Sequence, residues 1–397
     1  MSPARMSVYL YPRTVADVRK LDFSVLKPTQ TAPVELIYWA VGFKRERDGT
    51  VKAHPKSHNP GQTGDQTHEI IKEIFKNFPE ENGYLHTWLV DTCLQKHAGL
   101  VDEVTERLLP SFNEGQRGPL VRDIIITLGE LVEKTGHRLR AISVDIEPIC
   151  KPDGSDSLLG FHADLVSAIN GSLRVPVSVH MSCSKIHEWL TIDPSSIIAG
   201  SPAERALGEF GRLVDAVRTH RQSYLIVDAY CHGNSCEHQP ADACSEIDGR
   251  EERSCQWQHF TNCKKLQAIF TSFTGMRIPF KTVLAISGSS SGGITPTGWN
   301  IGNFRRSLER IRSEGPGIDL KSPYLRGFAL YGVDNIDEEK TSLQDVVTTL
   351  NETGFRTYPL REGYTFHDKM VHHIGGGTLI VVLLSMLAYR CLSPYYG

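Results

Sequence analysis

Short runs of β-branched and aromatic residues recur along the chain, and several are separated by stretches with apolar residues at helical spacing. Val8 to Tyr11 reads as a first strand, cut off by Pro12. Val34 to Phe43 (VELIYWAVGF) reads as a second and leads to a turn-like Asp48-Gly49. Further strands are predicted over Tyr84 to Val90, Leu139 to Ile146, Val175 to Met181, Tyr224 to Tyr230, Thr282 to Ser287 and Leu325 to Val333. The helical pattern appears over Leu120 to Lys134, with Gly136 as a stop signal. It returns over Phe161 to Ile169, Leu207 to Thr219, Cys263 to Phe273 and Phe304 to Ser313.

Alternating strands and helices imply a parallel sheet, and eight strands in 397 residues favour closure into a (β/α)8 TIM barrel. Several strands are apolar almost throughout, as expected where both faces are covered. A doubly wound open sheet is the alternative, but no GxGxxG or GxxxxGK[ST] follows any strand to support a nucleotide-binding version. The expected organisation is a barrel over residues 1–365, a cysteine-rich insertion at about 231–263, and a hydrophobic tail over 366–397.

Composition narrows the function classes. A net charge of −3, with no run of like charges, argues against a general nucleic-acid binder. The first ten residues carry no apolar stretch of signal-peptide length. Five of the nine cysteines, Cys231, Cys236, Cys244, Cys255 and Cys263, crowd one polar segment. That density suggests disulfides in an oxidising compartment; without a CxxC pair, zinc is the weaker reading. Cysteine usage thus favours an extracellular or membrane-anchored setting, while the N-terminus does not. After Gly375-Gly376-Gly377 the tail has an apolar stretch shorter than the roughly 20 residues that span a bilayer. It fits a marginal tail anchor, a removed lipid-anchor signal, or a helix packed on the body.

In such barrels the chemistry lies at the carboxyl ends of the strands. Polar residues predicted there are Asp91, Asp145, Glu147, His180, Asp228, Tyr230, Tyr331 and Asp334. Asp145 and Glu147 are two apart, so a strand directs both to one side. One carboxylate raises the pKa of another beside it, which helps an acid stay protonated where a leaving-group oxygen must be protonated. Glu147, His180 and Asp228 form an alternative constellation that would suit a divalent metal, although no HxH spacing occurs. The one HxxxH, His54 to His58, contains Pro55 and lacks the helix that spacing needs. Trp39 and Trp88 lie in apolar runs and are expected in the core.

The order of segments from about Val34 to Asn335 resembles glycoside hydrolase family 18, the chitinases and their relatives. Leu139 to Pro148 (LRAISVDIEP) is similar to that family's DxxDxDxE strand, with Asp145 and Glu147 at its last two acidic positions. Tyr224 to Gly233 (YLIVDAYCHG) resembles its MxYDxxG segment, and Gly327 to Asn335 its eighth strand. The resemblance implies substrate-assisted cleavage of glycans containing N-acetylglucosamine, an exception to the two-carboxylate scheme, with no cofactor and no metal. Glu147 would protonate the glycosidic oxygen, Asp145 would orient the acetamido nitrogen, and Tyr230, with Asp228 near, would bond its oxygen. Tyr331, Trp299 and Asp334 would contact the sugar. Arg140 and Ser143 stand at the motif's first two Asp positions, and Cys231 where the sixth-strand Asp is expected. A glycan-binding barrel without turnover is the third alternative.

Overall fold

The computed structural model describes residues 6–48, 50–56, 66–91, 115, 117–146, 155–181, 186, 190, 199–228, 264–285, 301–302, 305, 308–309, 322–331 and 342–353. Two compact units divide at Tyr358, and the second, Pro359–Gly397, falls outside those residues together with the expected tail. All nine cysteines also lie outside them, and with them the disulfide expectation.

In chain order the elements are β1 (Met6–Leu10), α1 (Val15–Lys20), β2 (Val34–Arg45), β3 (Val51–Pro55), α2 (Thr67–Asn77), β4 (Tyr84–Asp91) and α3 (Arg117–Thr135). There follow β5 (Ala141–Asp145), α4 (Ser155–Ser172), β6 (Val177–Met181), α5 (Pro202–Thr219) and β7 (Tyr224–Asp228). The series ends with α6 (Lys264–Gly275), β8 (Phe280–Ala285), β9 (Leu325–Tyr331) and α7 (Leu343–Glu352). Strand order runs β1-β9-β8-β7-β6-β5-β4-β2, and β1 also pairs with β2, so eight parallel strands close on themselves. The protein is therefore a (β/α)8 barrel.

Every predicted strand is present, with shifted ends. The first begins at Met6, and all five of its residues are buried. Four of these elements were not predicted: the helices α1, α2 and α7 and the strand β3 lie outside the sequence reading. That last strand pairs antiparallel with the far end of β2, from Val41↔Pro55 to Arg45↔Val51, and makes a hairpin of the Asp48 turn. Polar caps start several helices. Ser201 accepts from the Glu204 amide ahead of Pro202, and Thr14 with Asp17 and Ser342 with Asp345 form capping boxes at α1 and α7.

Side-chain period two divides the core. Tyr9, Ile37, Leu89, Ile226, Val283 and Ala329 point inward and fill the barrel. Alternate residues such as Val8, Leu36, Trp88, Val144 and Val179 join the helices in a larger outer core. Trp88 and Trp39 are both buried, as expected; Trp88 donates to the Tyr38 hydroxyl at 2.9 Å and Trp39 to the Val41 carbonyl at 2.8 Å. Arg117 ties α3 to α4 and α5 through Asp164 and Glu209, each at 3.3 Å. Among the described residues no helix is long and apolar enough to cross a membrane.

The amino-terminal end of the barrel carries a buried ion pair. Glu35 accepts from Lys281 at 2.7 Å, Tyr224 at 2.6 Å, Thr87 at 2.7 Å and Ser7 at 2.5 Å. Burial alone would raise the Glu35 pKa; the Lys281 charge and these donors outweigh it and bring the carboxyl down to about 2.

Candidate active site at the carboxyl ends of the strands

Asp145 is the last residue of β5, and its register partner Asp91 is the last of β4. Both carboxylates are buried, so the parallel pairing brings two acids to adjacent strand ends. His180, next to last in β6, supplies the compensating contact: its Nδ1 lies 2.8 Å from Asp145 Oδ1. The geometry is that of an imidazole N–H donating to a carboxylate, which fixes the ring and holds Asp145 in one orientation. Asp145 needs such support. The resembled motif would place acids at 140 and 143, but Arg140 instead forks onto Glu80 at 2.7 and 2.8 Å near the opposite end. Ser143 is buried and its hydroxyl faces Tyr9, so it brings no charge to the position where the motif has an acid.

Three tyrosines form the wall beside these acids. Tyr331, at the end of β9, meets Tyr11 edge-on at 5.6 Å between centroids and Tyr9 at 5.9 Å. Burial raises the pKa of Tyr11, and Tyr331, Asp91 and Asp145 add to the effect. Burial likewise raises that of Tyr9, with Asp145 the next cause. Both phenols stay neutral and able to donate at ordinary pH. The rim near β2 is shaped by an irregularity in the β2–β4 register between Trp39 and Val41. There the Lys56 ammonium sits 4.6 Å from the Trp39 ring centre and donates to the Pro12 carbonyl at 2.8 Å. Gly42 makes room for this ring, because a Cβ there would meet it at 3.1 Å.

Of the residues singled out in the sequence, the structure brings Asp145, His180, Asp91 and Tyr331 to one end of the barrel. Asp228 closes β7, and its side chain lies outside the described residues. Glu147, Tyr230, Trp299 and Asp334 lie outside them altogether. The metal constellation of Glu147, His180 and Asp228 is therefore described only at His180, whose Nδ1 is engaged by Asp145. Among the described residues no group of three or more His, Cys, Asp or Glu is placed to hold a metal ion. Sequence reasoning missed Tyr9 and Tyr11. Their spacing of two at the end of β1, just before Pro12, was the available signal.

The class defined by these elements is a closed parallel barrel with buried acids, an imidazole and phenols at its carboxyl end. No family model matches the chain, and no curated protein matches it in sequence. Solved structures do. A GH18 chitinase variant from Cycas revoluta in complex with (GlcNAc)4 is 11% identical at a TM-score of 0.48, with 90% of this chain and 100% of that one covered. The catalytic domain of a family GH18 chitinase from the fern Peteris ryukyuensis is 10% identical at 0.41, covering 87% and 99%. A 7,8-dihydropteroate synthase from Vibrio fischeri is 11% identical at 0.34, covering 91% and 95%. The barrel is established by its own strand pairing, and none of these likenesses bears on chemistry.

Proposed function

We propose that the chain is a divergent, chitinase-like glycoside hydrolase that cleaves glycans containing N-acetylglucosamine, with Glu147 as the proton donor. The observation that carries this reading is the buried Asp145–His180 pair at the carboxyl end of β5, two residues before Glu147. A carboxylate fixed in that way is suited to orienting a substrate amide N–H. The substrate's acetamido oxygen then bonds to the anomeric carbon as the glycosidic bond breaks, and the Glu147 proton passes to the departing oxygen. Water attacks next. It gives a proton back to Glu147 and releases the acetamido oxygen. Tyr230 and Asp228 assist at the acetamido group, and Tyr331, Trp299 and Asp334 contact the sugar; an aromatic ring can pack its apolar face on a pyranose.

Glu147→Gln keeps the shape and removes the proton donor. Hydrolysis of N-acetylglucosamine oligomers, followed by chromatography of the products, should fall at least ~100-fold in that variant. Undiminished turnover overturns the proposal. Activity lost to a chelator and restored by a divalent ion would point to the metal alternative, and oligomer binding without turnover by the native chain to a binding module.

A further inference from the structure

A cavity of about 380 Å³ opens at the amino-terminal end of the barrel, opposite the acids. Its floor is the Glu35–Lys281 pair with Thr87 and Tyr224; its rim carries Arg138, Arg140, Arg174 and Arg326. Two of the cations lining it are neutralised locally, Lys281 by Glu35 and Arg140 by Glu80, both at 2.7 Å. Arg138, Arg174 and Arg326 form no ion pair with a carboxylate among the described residues. Arg138 and Arg174 follow the C-termini of α3 and α4, where a cation is favourable in any case. Arg326 has no such reason. It is the second residue of β9 and is half-buried. Burial lowers its pKa, and the like charge of Arg221 lowers it further. Placing a guanidinium in a desolvated wall beside another cation costs free energy that a bound anion would offset.

We propose that this cavity is a binding site for a small organic anion bearing phosphate or carboxylate groups, held by Arg326 and Arg174 with Arg138 at the rim. The volume lies within the range of small-ligand pockets, and planar guanidinium forks match both anion geometries. The site is separate from the chemistry proposed for the carboxyl end and stands or falls without it.

The test uses the full chain and two probes, citrate and inorganic pyrophosphate, each titrated against sodium chloride of equal ionic strength. At least one probe should bind saturably by calorimetry and raise the melting temperature beyond the chloride control. Which one does so identifies the anion's chemistry. Arg174→Gln should weaken binding about tenfold, and Arg174→Gln with Arg326→Gln about a hundredfold, in line with the loss of charge-assisted bonds. Arg174 is exposed, so the single variant keeps the test valid should the Arg326 change disturb folding. No response beyond chloride to either probe, or equal affinity in the Arg174→Gln variant, overturns the site.

Discussion

Replacing Lys281 by Met removes the ammonium paired with the Glu35 carboxylate and leaves a buried acid held, among the described residues, by three hydroxyls. In the native barrel the Glu35 carboxyl moves from 4.5 to about 2. At about 1.36 kcal/mol per pH unit, that displacement corresponds to at most roughly 3 kcal/mol of stability, and burial, which lowers the Lys281 pKa, takes back part of it. Because the folded value lies below the unfolded one, this stability is present above about pH 4.5 and is lost as pH falls towards about 2. Without Lys281, burial, already the largest single cause, is opposed only by the hydroxyl donors and raises the folded value above the unfolded one, so the sign reverses. The variant then takes up a proton on folding and loses stability as pH rises. At neutral pH the cost should be about 3–5 kcal/mol, typical of breaking a buried pair by removing one partner. Urea unfolding followed by circular dichroism at about pH 7 and about pH 4 measures both effects. The gap between native and variant should shrink at the lower pH, and adding Glu35→Gln should restore at least half of the loss at neutral pH. A cost below ~1 kcal/mol with the same pH dependence as the native chain would refute the reasoning.

Two further outcomes follow from single positions. Gly83 has φ +91°, and a Cβ there would lie 2.6 Å from the Thr29 backbone, so Gly83→Ala should destabilise by about 2 kcal/mol or more; an unfolding midpoint unchanged from native would contradict this. His180→Leu removes the Asp145 partner and should cost about 1.5–3 kcal/mol, with kcat for oligomer hydrolysis falling more than KM changes; unaltered kinetics would show that Asp145 needs no such anchoring.

The eight barrel strands were legible because each is a local run of β-branched and aromatic residues, and a run announces itself without knowledge of its neighbours. Asp145 was legible in the same way, as an acid ending such a run. β3 was not, since VKAHP has little apolar pattern and becomes a strand by pairing with the free length of β2 beyond the barrel. α1 is only six residues long, whereas α2 (THEIIKEIFKN) is amphipathic, with Ile70, Ile71 and Ile74 buried on one face, so its spacing was an available signal that the sequence reading passed over.

Chain order alone determined that strands alternate with helices and that acids stand where strands stop. Only barrel closure decided which of those groups meet. Lys281 and Glu35 are 246 positions apart, Tyr224 and Glu35 189, and His180 and Asp145 35. Periodicity reports the face on which a residue lies, whereas such contacts depend on the stagger between strands that hydrogen bonding fixes around the closed sheet.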